Sequence, residues 1–542
     1  MKNGENYSES RRRFIKLFAL SVVATQFIAS CTNKVKGLLL KLSGTNHILG
    51  HRLWAKNFPL VTKNIKIDYL IIGGGITGLS AARQFIKKGI TNFLIVELEE
   101  NVGGNSRNGE NQFSKYPLGA HYLPLPNKED KELLQFLEES KIIIGFDDEN
   151  YPVFDETQLT FDPQERLFYE NTWHETVIPN VGDSIVEKEN FTRFFEKMTF
   201  YREAKDDSGK YFFNIPTANS SDVPEAKILD SITMKAWCNQ NNFVVKPLLN
   251  YIDYCCRDDF GLGIDFVSAW AGIHYFAARK QNISKNKSES VLNWPEGNAR
   301  LSSHLQPYSD GKTLKNHLAF DIKIVEDNVV STIFDNKTNT TTCINSKKII
   351  VATPQFVNRY LIAGRKDFTK DFQYAPWLLA TLVVSDLSDN GSFPLSWDNV
   401  IYGAKGLGYV YDQHQNIEQR KVKKVISYYH SFSSADLLKT RKEIFKKTEN
   451  DWRKLVFDDL KIAHPNIEDV TESIDFQIIG HGMISPIPNF IFGESRKKAS
   501  QPIDNKIFFA HTDLSGISVF EEAFHQGINV VNTILDETTM DS

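Results

Sequence analysis

The chain has 542 residues, 41% of them apolar and 24% charged, a composition that suits a globular protein large enough for more than one domain and makes disorder an unlikely default. Its 63 basic and 67 acidic residues leave a formal net charge of −4, so no overall field favours nucleic acid and no nucleic-acid partner is expected. Five cysteines (Cys31, Cys238, Cys255, Cys256, Cys343) are too few for a disulfide scaffold, and without a CxxC pair they suggest no metal site.

At the N-terminus, Ser10 to Lys16 reads Ser-Arg-Arg-Arg-Phe-Ile-Lys, and an uncharged apolar run follows from Leu17 to Ser30. As a helix that run reaches only about 21 Å, short of the roughly 30 Å hydrocarbon core, so a cleaved export signal is expected rather than a membrane span. The arginines with Phe-Ile-Lys resemble a bacterial twin-arginine signal, which implies export to the periplasm of an already folded protein. Ile28-Ala29-Ser30-Cys31 resembles a lipobox, which would attach the protein to a membrane surface through a lipid on Cys31. Residues 1–31 are thus an expected address, and 32–63 a tether leading into the fold.

The β-branched run Ile65 to Ile72 predicts a buried parallel strand. It ends in Gly73-Gly74-Gly75-Ile76-Thr77-Gly78, and a helix is predicted over Leu79 to Lys88. In this strand, GxGxxG, helix order Gly73 permits the tight turn, Gly75 admits a pyrophosphate to the backbone, and Gly78 lets the helix pack on the strand. Free amides around Ile76 and Thr77 then face the phosphates at the positive helix end. A second strand, Phe93 to Val96, ends at Glu97, whose carboxylate suits a ribose diol and would repel a 2′-phosphate. A bound dinucleotide other than NADP is expected.

Glu97 to Arg107 (Glu-Leu-Glu-Glu-Asn-Val-Gly-Gly-Asn-Ser-Arg) resembles the E-x5-GG pattern of the flavin-containing amine oxidases and their relatives. The resemblance implies FAD as cofactor, with Gly103 and Gly104 along the pyrophosphate and Arg107 supplying charge where Asn105 replaces the family's common arginine. Pro117 to Tyr122 is similar to the family segment beside the isoalloxazine ring, which places Gly119, Ala120 and His121 at the flavin. Trp294 to Asn298 resembles a further family segment, and the alternation from Ile322 to Val330 the β-ribbon that touches adenine; Ile349 to Pro354 is similar to the strand leaving the FAD domain. Ile507 to Asp513, then Leu514-Ser515-Gly516-Ile517 and a helix predicted over Val519 to Leu535, resembles the second FAD signature, with Asp513 on a ribityl hydroxyl. His511-Thr512 departs from the small residues common there.

The stretches 151–289 and 356–495 lack these signatures and are rich in aromatics, including Trp237, Trp270, Tyr275, Trp377, Trp397, Tyr402 and Tyr409. They are either core residues or the roof of an apolar pocket that keeps water from the flavin. Trp397 to Val400, Leu407 to Val410 and His481 to Met483 resemble a bacterial, signal-bearing subgroup of FAD oxidoreductases. The expected fold is α/β: a discontinuous Rossmann-type FAD domain (64–150, 290–355, 496–538) with a second mixed α+β substrate domain. The expected activity is oxidation of an amine or other small organic substrate, with the hydride taken by flavin N5 and the electrons passed to oxygen or another acceptor. His121 and His511 are the expected proton shuttles near neutral pH, ahead of His274 and His481. Desaturation or isomerisation of a lipid or isoprenoid, and a flavin-bearing surface protein without catalysis, are the competing readings. No Ser-His-Asp order, HExxH or Walker A sequence supports a hydrolase or NTPase.

Overall fold

Two sheets organise the chain. A computed structural model describes residues 38–178, 184–280, 290–366, 369–387, 392–416 and 423–540; the twin-arginine and Cys31 expectations lie outside them. In the first sheet the strand Val61–Ile72 runs parallel to Phe93–Val96 on one side and to Thr340–Val351 on the other. Ile507–Phe509 adds a further parallel strand on Thr340–Val351. The antiparallel ribbon His317–Val325, Asn328–Asp335 and Thr340–Val351 extends this sheet at one edge, its second turn lying in the Asn/Thr-rich stretch after Asn336, and Thr313–Leu314 pairs in parallel with Phe93–Val96 at the other. Leu70, Ile71 and Ile72 are buried, as a strand covered on both faces requires.

The helix Ile76–Lys87 begins three residues earlier than the pattern predicts, because Gly75 in extended conformation serves as its N-cap. It packs against the final helix, Phe520–Met540. At their crossing, a Cβ on Gly527 would lie 2.3 Å from the Thr77 carbonyl oxygen, so glycine is what lets the two backbones approach.

The second sheet has eight strands, in the order Leu39–Gly44, Thr471–Ile484, Tyr374–Val384, Lys424–Ser431, Gly408–Tyr411, Asp398–Ile401, Glu165–Tyr169 and Thr172–Glu175. Every residue of Tyr374–Val384 is buried. A layer that includes the helices Ile185–Glu203, Met234–Gln240, Lys246–Phe260 and Ala269–Ala277 closes a core with Trp237, Trp270 and Trp377. Those three tryptophans are core residues and do not roof a pocket. Cys238, Cys255 and Cys256 are buried free thiols.

The stretch expected as a tether is largely ordered. Leu39–Gly44 pairs in parallel with Thr471–Ile484, and Lys41 and Ser43 both bond Asp475. Leu49 and Leu53 then bury themselves against the ribbon, because the edge of the second sheet offers unpaired backbone groups and the ribbon an apolar face.

Candidate functional site

Three glycine-bearing loops meet at the carboxyl ends of the parallel strands. No side chain caps the helix Ile76–Lys87, so its first-turn amides remain available to an anion. Gly73 has φ 107°, and a Cβ there would stand 2.5 Å from the Ala352 carbonyl oxygen; one on Gly78 would stand 1.9 Å from that of Gly73. Gly103 donates its amide to the Gly74 carbonyl at 2.8 Å. A Cβ on Gly104 would sit 3.3 Å from Gly75 Cα, so the two glycine pairs abut across a backbone-lined trench. The Ala120 amide donates to the Asn105 carbonyl at 2.9 Å, and Gly119 passes so close to that oxygen that a Cβ would lie 2.3 Å from it. Gly73 to Gly78, Glu97, Gly103 to Arg107 and Gly119 to His121 are therefore one continuous surface, with Ile76, Thr77 and Gly78 buried behind it.

Glu97 ends its strand with both carboxylate oxygens occupied: Oε2 accepts from the Gly74 amide (2.6 Å) and Oε1 from the Glu99 amide (2.8 Å). Burial raises its pKa, with the two amides pulling the other way. Glu99 in turn accepts the Asn46 amide at 2.8 Å and lies 3.4 Å from Arg107 Nη1. Arg107 is thus paired with an acid, and its Nε donates to the Gly104 carbonyl; it braces the loop rather than standing free for a phosphate. The Asn105 side chain donates to the Gly482 carbonyl of the second sheet.

On the opposite wall four residues are held by the protein itself. Asp513 is 1% exposed, and its Oδ2 accepts from the Gln355 amide and the Tyr374 hydroxyl. It ties the strand end to Pro354–Gln355 and the second sheet, because a buried carboxylate needs donors and these are the ones within reach. His511 accepts the Asp513 amide on Nδ1 and so caps the short helix Thr512–Ser515. Ile517 is fully buried in the aromatic core after the left-handed turn at Gly516, φ 85°. Ile322, 3% exposed, packs in the apolar core with Leu49 and Val96 instead of facing a nucleotide, since strand alternation turns it inward.

His121 stands against Tyr429 and Trp397, ring centroids 4.6 and 5.8 Å away, and its ring sits beside Tyr122. Burial holds its pKa down to about 3, so it is a neutral imidazole that does not titrate near neutral pH, contrary to the expected shuttle. His274 and His481 are likewise depressed by burial and stack on Trp270 and Phe356. The His121 segment is held from behind by Asn298, which donates its amide to the Ala120 carbonyl and its side chain to that of Tyr122. In front lies a small recess lined by His121, Asn293, Trp294, Trp397, Asp412 and His414.

Pattern reading missed a group of acids gathered around Tyr122 and Tyr254. Tyr122 donates to Asp258 and Tyr254 to Asp398, both at 3.2 Å, with Asp259 and Arg279 adjacent. The signal was present in part, as Tyr254 and Asp258 lie one helical turn apart and Asp398 falls within the Trp397–Val400 stretch.

Residues 71–140 match the NAD(P)-binding Rossmann-like domain. The flavin-containing amine oxidase of Oncorhynchus mykiss is 28% identical over 122 residues, 21% of this chain and 23% of that protein, so the match spans under a quarter of that relative's length. Wild-type putrescine oxidase bound to putrescine superposes with a TM-score of 0.60 at 12% identity, covering 87% of this chain and 100% of that one. The chain has the amine-oxidase fold. A fatty acid isomerase from P. acnes shares it too, with a TM-score of 0.61 at 15% identity over 86% of this chain and 98% of its own. The fold therefore positions a site without choosing its reaction.

Proposed function

We propose that the protein is an FAD-dependent oxidoreductase that oxidises an amine, exported by a twin-arginine signal and held at a membrane surface through Cys31. The observation that carries the reading is the continuity of the trench: uncapped helix amides, two abutting glycine pairs and the Glu97 carboxylate at its strand end lead on to Gly119–Tyr122 and the small recess beside His121. These are donors and clearances for a diphosphate and a flat ring, and the backbone does most of the contacting, as a cradle for FAD requires.

When bound, FAD would supply the acceptor for a hydride leaving the carbon next to the amine nitrogen. That nitrogen must present a lone pair: as the C–H bond breaks, the lone pair turns C–N into C=N and the nitrogen gives up a proton. His121, neutral at working pH, can orient it and accept a hydrogen bond without adding positive charge. Trp397 and Tyr429 exclude water around it.

The isomerase likeness makes lipid chemistry the second reading. Above about pH 6 a fatty acid carboxylate would meet like charge at Asp258, which favours the amine. Anaerobic mixing of the purified, FAD-loaded protein with a panel of primary amines is expected to bleach the oxidised flavin spectrum. A flavin that no amine reduces, or turnover confined to unsaturated lipids, refutes the amine-oxidase assignment.

A further inference from the structure

The stretch ahead of the first glycine turn has a composition unlike the rest of the chain. From Cys31 to Ile67 it carries seven Lys or Arg and no Asp or Glu, in a protein whose formal net charge is −4. Within it the short helices His47–Gly50 and Arg52–Ala55 run on through His51, which keeps helical backbone angles. Leu49 and Leu53, four apart, face the apolar core, so Ile48, His51 and Trp54, three apart, turn outward. Ile48 is 73% and Trp54 60% exposed.

These outward side chains join a second element. Trp54 stacks on His51 with ring centroids 3.9 Å apart, His51 lies 5.6 Å from His47, and His47 lies 5.5 Å from Phe445. Phe445 follows the helix Leu437–Ile444 and is itself 48% exposed, so stretches far apart in the chain form one continuous band of exposed rings. Lys442, Lys446 and Lys447 around Phe445 and Lys56 beside Trp54 are exposed too, while Glu443, the acid on that turn, lies 4.0 Å from Lys439. A contiguous band of large apolar groups in water marks a surface that something covers. Lysine is depleted at protein–protein interfaces, whereas tryptophan flanked by lysine suits the boundary between lipid headgroups and acyl chains.

We propose that this face lies on an anionic lipid bilayer, with Ile48, Trp54 and Phe445 entering the headgroup boundary and the lysines around them over lipid phosphates. This rests on the membrane-held reading above and names the protein surface that meets the bilayer. Cys31 precedes Leu38 by seven residues, at most about 25 Å of extended chain, so a lipid on Cys31 would keep the face within reach of the same membrane. A lipid tether alone leaves the protein free to turn; a basic, ring-bearing face decides which side it presents.

The test uses the full-length, FAD-loaded protein on vesicles of equal parts phosphatidylglycerol and phosphatidylcholine, with amide hydrogen exchange as the readout. Exchange in residues 47–56 and 442–447 is expected to slow at least about fivefold on these vesicles and not on phosphatidylcholine alone, while most of the remaining surface keeps its solution rate. The readout is local, so attachment through any other segment does not imitate it. Trp54→Glu combined with Phe445→Glu changes two exposed side chains and should abolish the slowing with flavin content unchanged; the parent's contrast between the two lipids is itself a test that needs no variant. No slowing on the anionic vesicles, equal slowing on both kinds, or slowing that survives the double substitution overturns the proposal. So does slowing of the same residues without vesicles as protein concentration rises, which marks a second copy of the chain as the occupant. Selective slowing in a protein whose Cys31, recovered from native membranes, is found unacylated by mass spectrometry upholds the surface and overturns the lipid reading instead.

Discussion

The Gly74 amide donates to Glu97 Oε2 over 2.6 Å, so the first glycine turn and the end of the second strand are fastened together before any nucleotide arrives. Because Oε1 also accepts the Glu99 amide, Glu97 is an acceptor towards the protein on both sides. Glutamine has a single oxygen and would turn an NH₂ group towards one of those two amides. Glu97→Gln is therefore expected to weaken FAD binding by about tenfold to a hundredfold, read by equilibrium release of flavin fluorescence. Retention of FAD at the parent's affinity would remove Glu97 from the ribose site.

The buried acid Asp398 gives stability a pH dependence whose sign is fixed by its raised pKa. Asp398 moves from an ordinary 3.8 to about 8 on folding, through burial first and then its neighbours Asp258 and Glu165. A carboxyl whose pKa rises on folding stabilises the protein fully below its unfolded value, and this contribution is lost as pH climbs through the folded one. The melting temperature of the unliganded protein should therefore fall between about pH 4 and about pH 8, and fall less in Asp398→Asn. Parallel curves for the two proteins would show that Asp398 does not titrate in this range.

What could be read in advance follows from range along the chain. Gly73 to Gly78, Glu97 and the paired glycines at 103 and 104 act within a few residues of backbone, so their spacing already carries their geometry, and the strand–turn–helix unit lies where the pattern places it. Asp513 shows the limit: the motif marks an acid at a strand end, but its partners, Gln355 at the start of a helix and Tyr374 on a strand, lie over a hundred residues away. Asp258 and Asp398 are separated similarly, and nothing local distinguishes them from solvated acids. The strand Leu39–Gly44 is short and mostly exposed, so alternation is too weak to reveal a pairing that depends on the free edge of Thr471–Ile484.

Gly527 tests the packing under the phosphate turn. An alanine methyl there would fall 2.3 Å from the Thr77 carbonyl oxygen and 2.8 Å from the Ala81 amide nitrogen, both backbone atoms that cannot swing away. Gly527→Ala must separate the final helix from Ile76–Lys87, at a cost of about 1–3 kcal/mol in unfolding free energy by denaturant titration. Thr77 lies in the first turn of that helix, so FAD affinity should fall together with stability. A variant as stable as the parent would mean that the helices do not cross this closely.

Arg166 holds the strand that carries Asp398. Fully buried, it donates from Nε to Asn399 Oδ1 (2.6 Å), from Nη1 to the Phe393 carbonyl (2.9 Å) and from Nη2 to the Tyr409 hydroxyl (3.0 Å), with its guanidinium 3.8 Å above the Trp173 ring. Asn399 is the next residue to Asp398, so the guanidinium sets the register in which Asp398 meets Tyr254. Arg166→Ala would leave Asn399 and Tyr409 buried with a donor removed, alongside a cavity, and should cost about 3 kcal/mol or more. A variant as stable as the parent would show that Arg166 does not hold this sheet together.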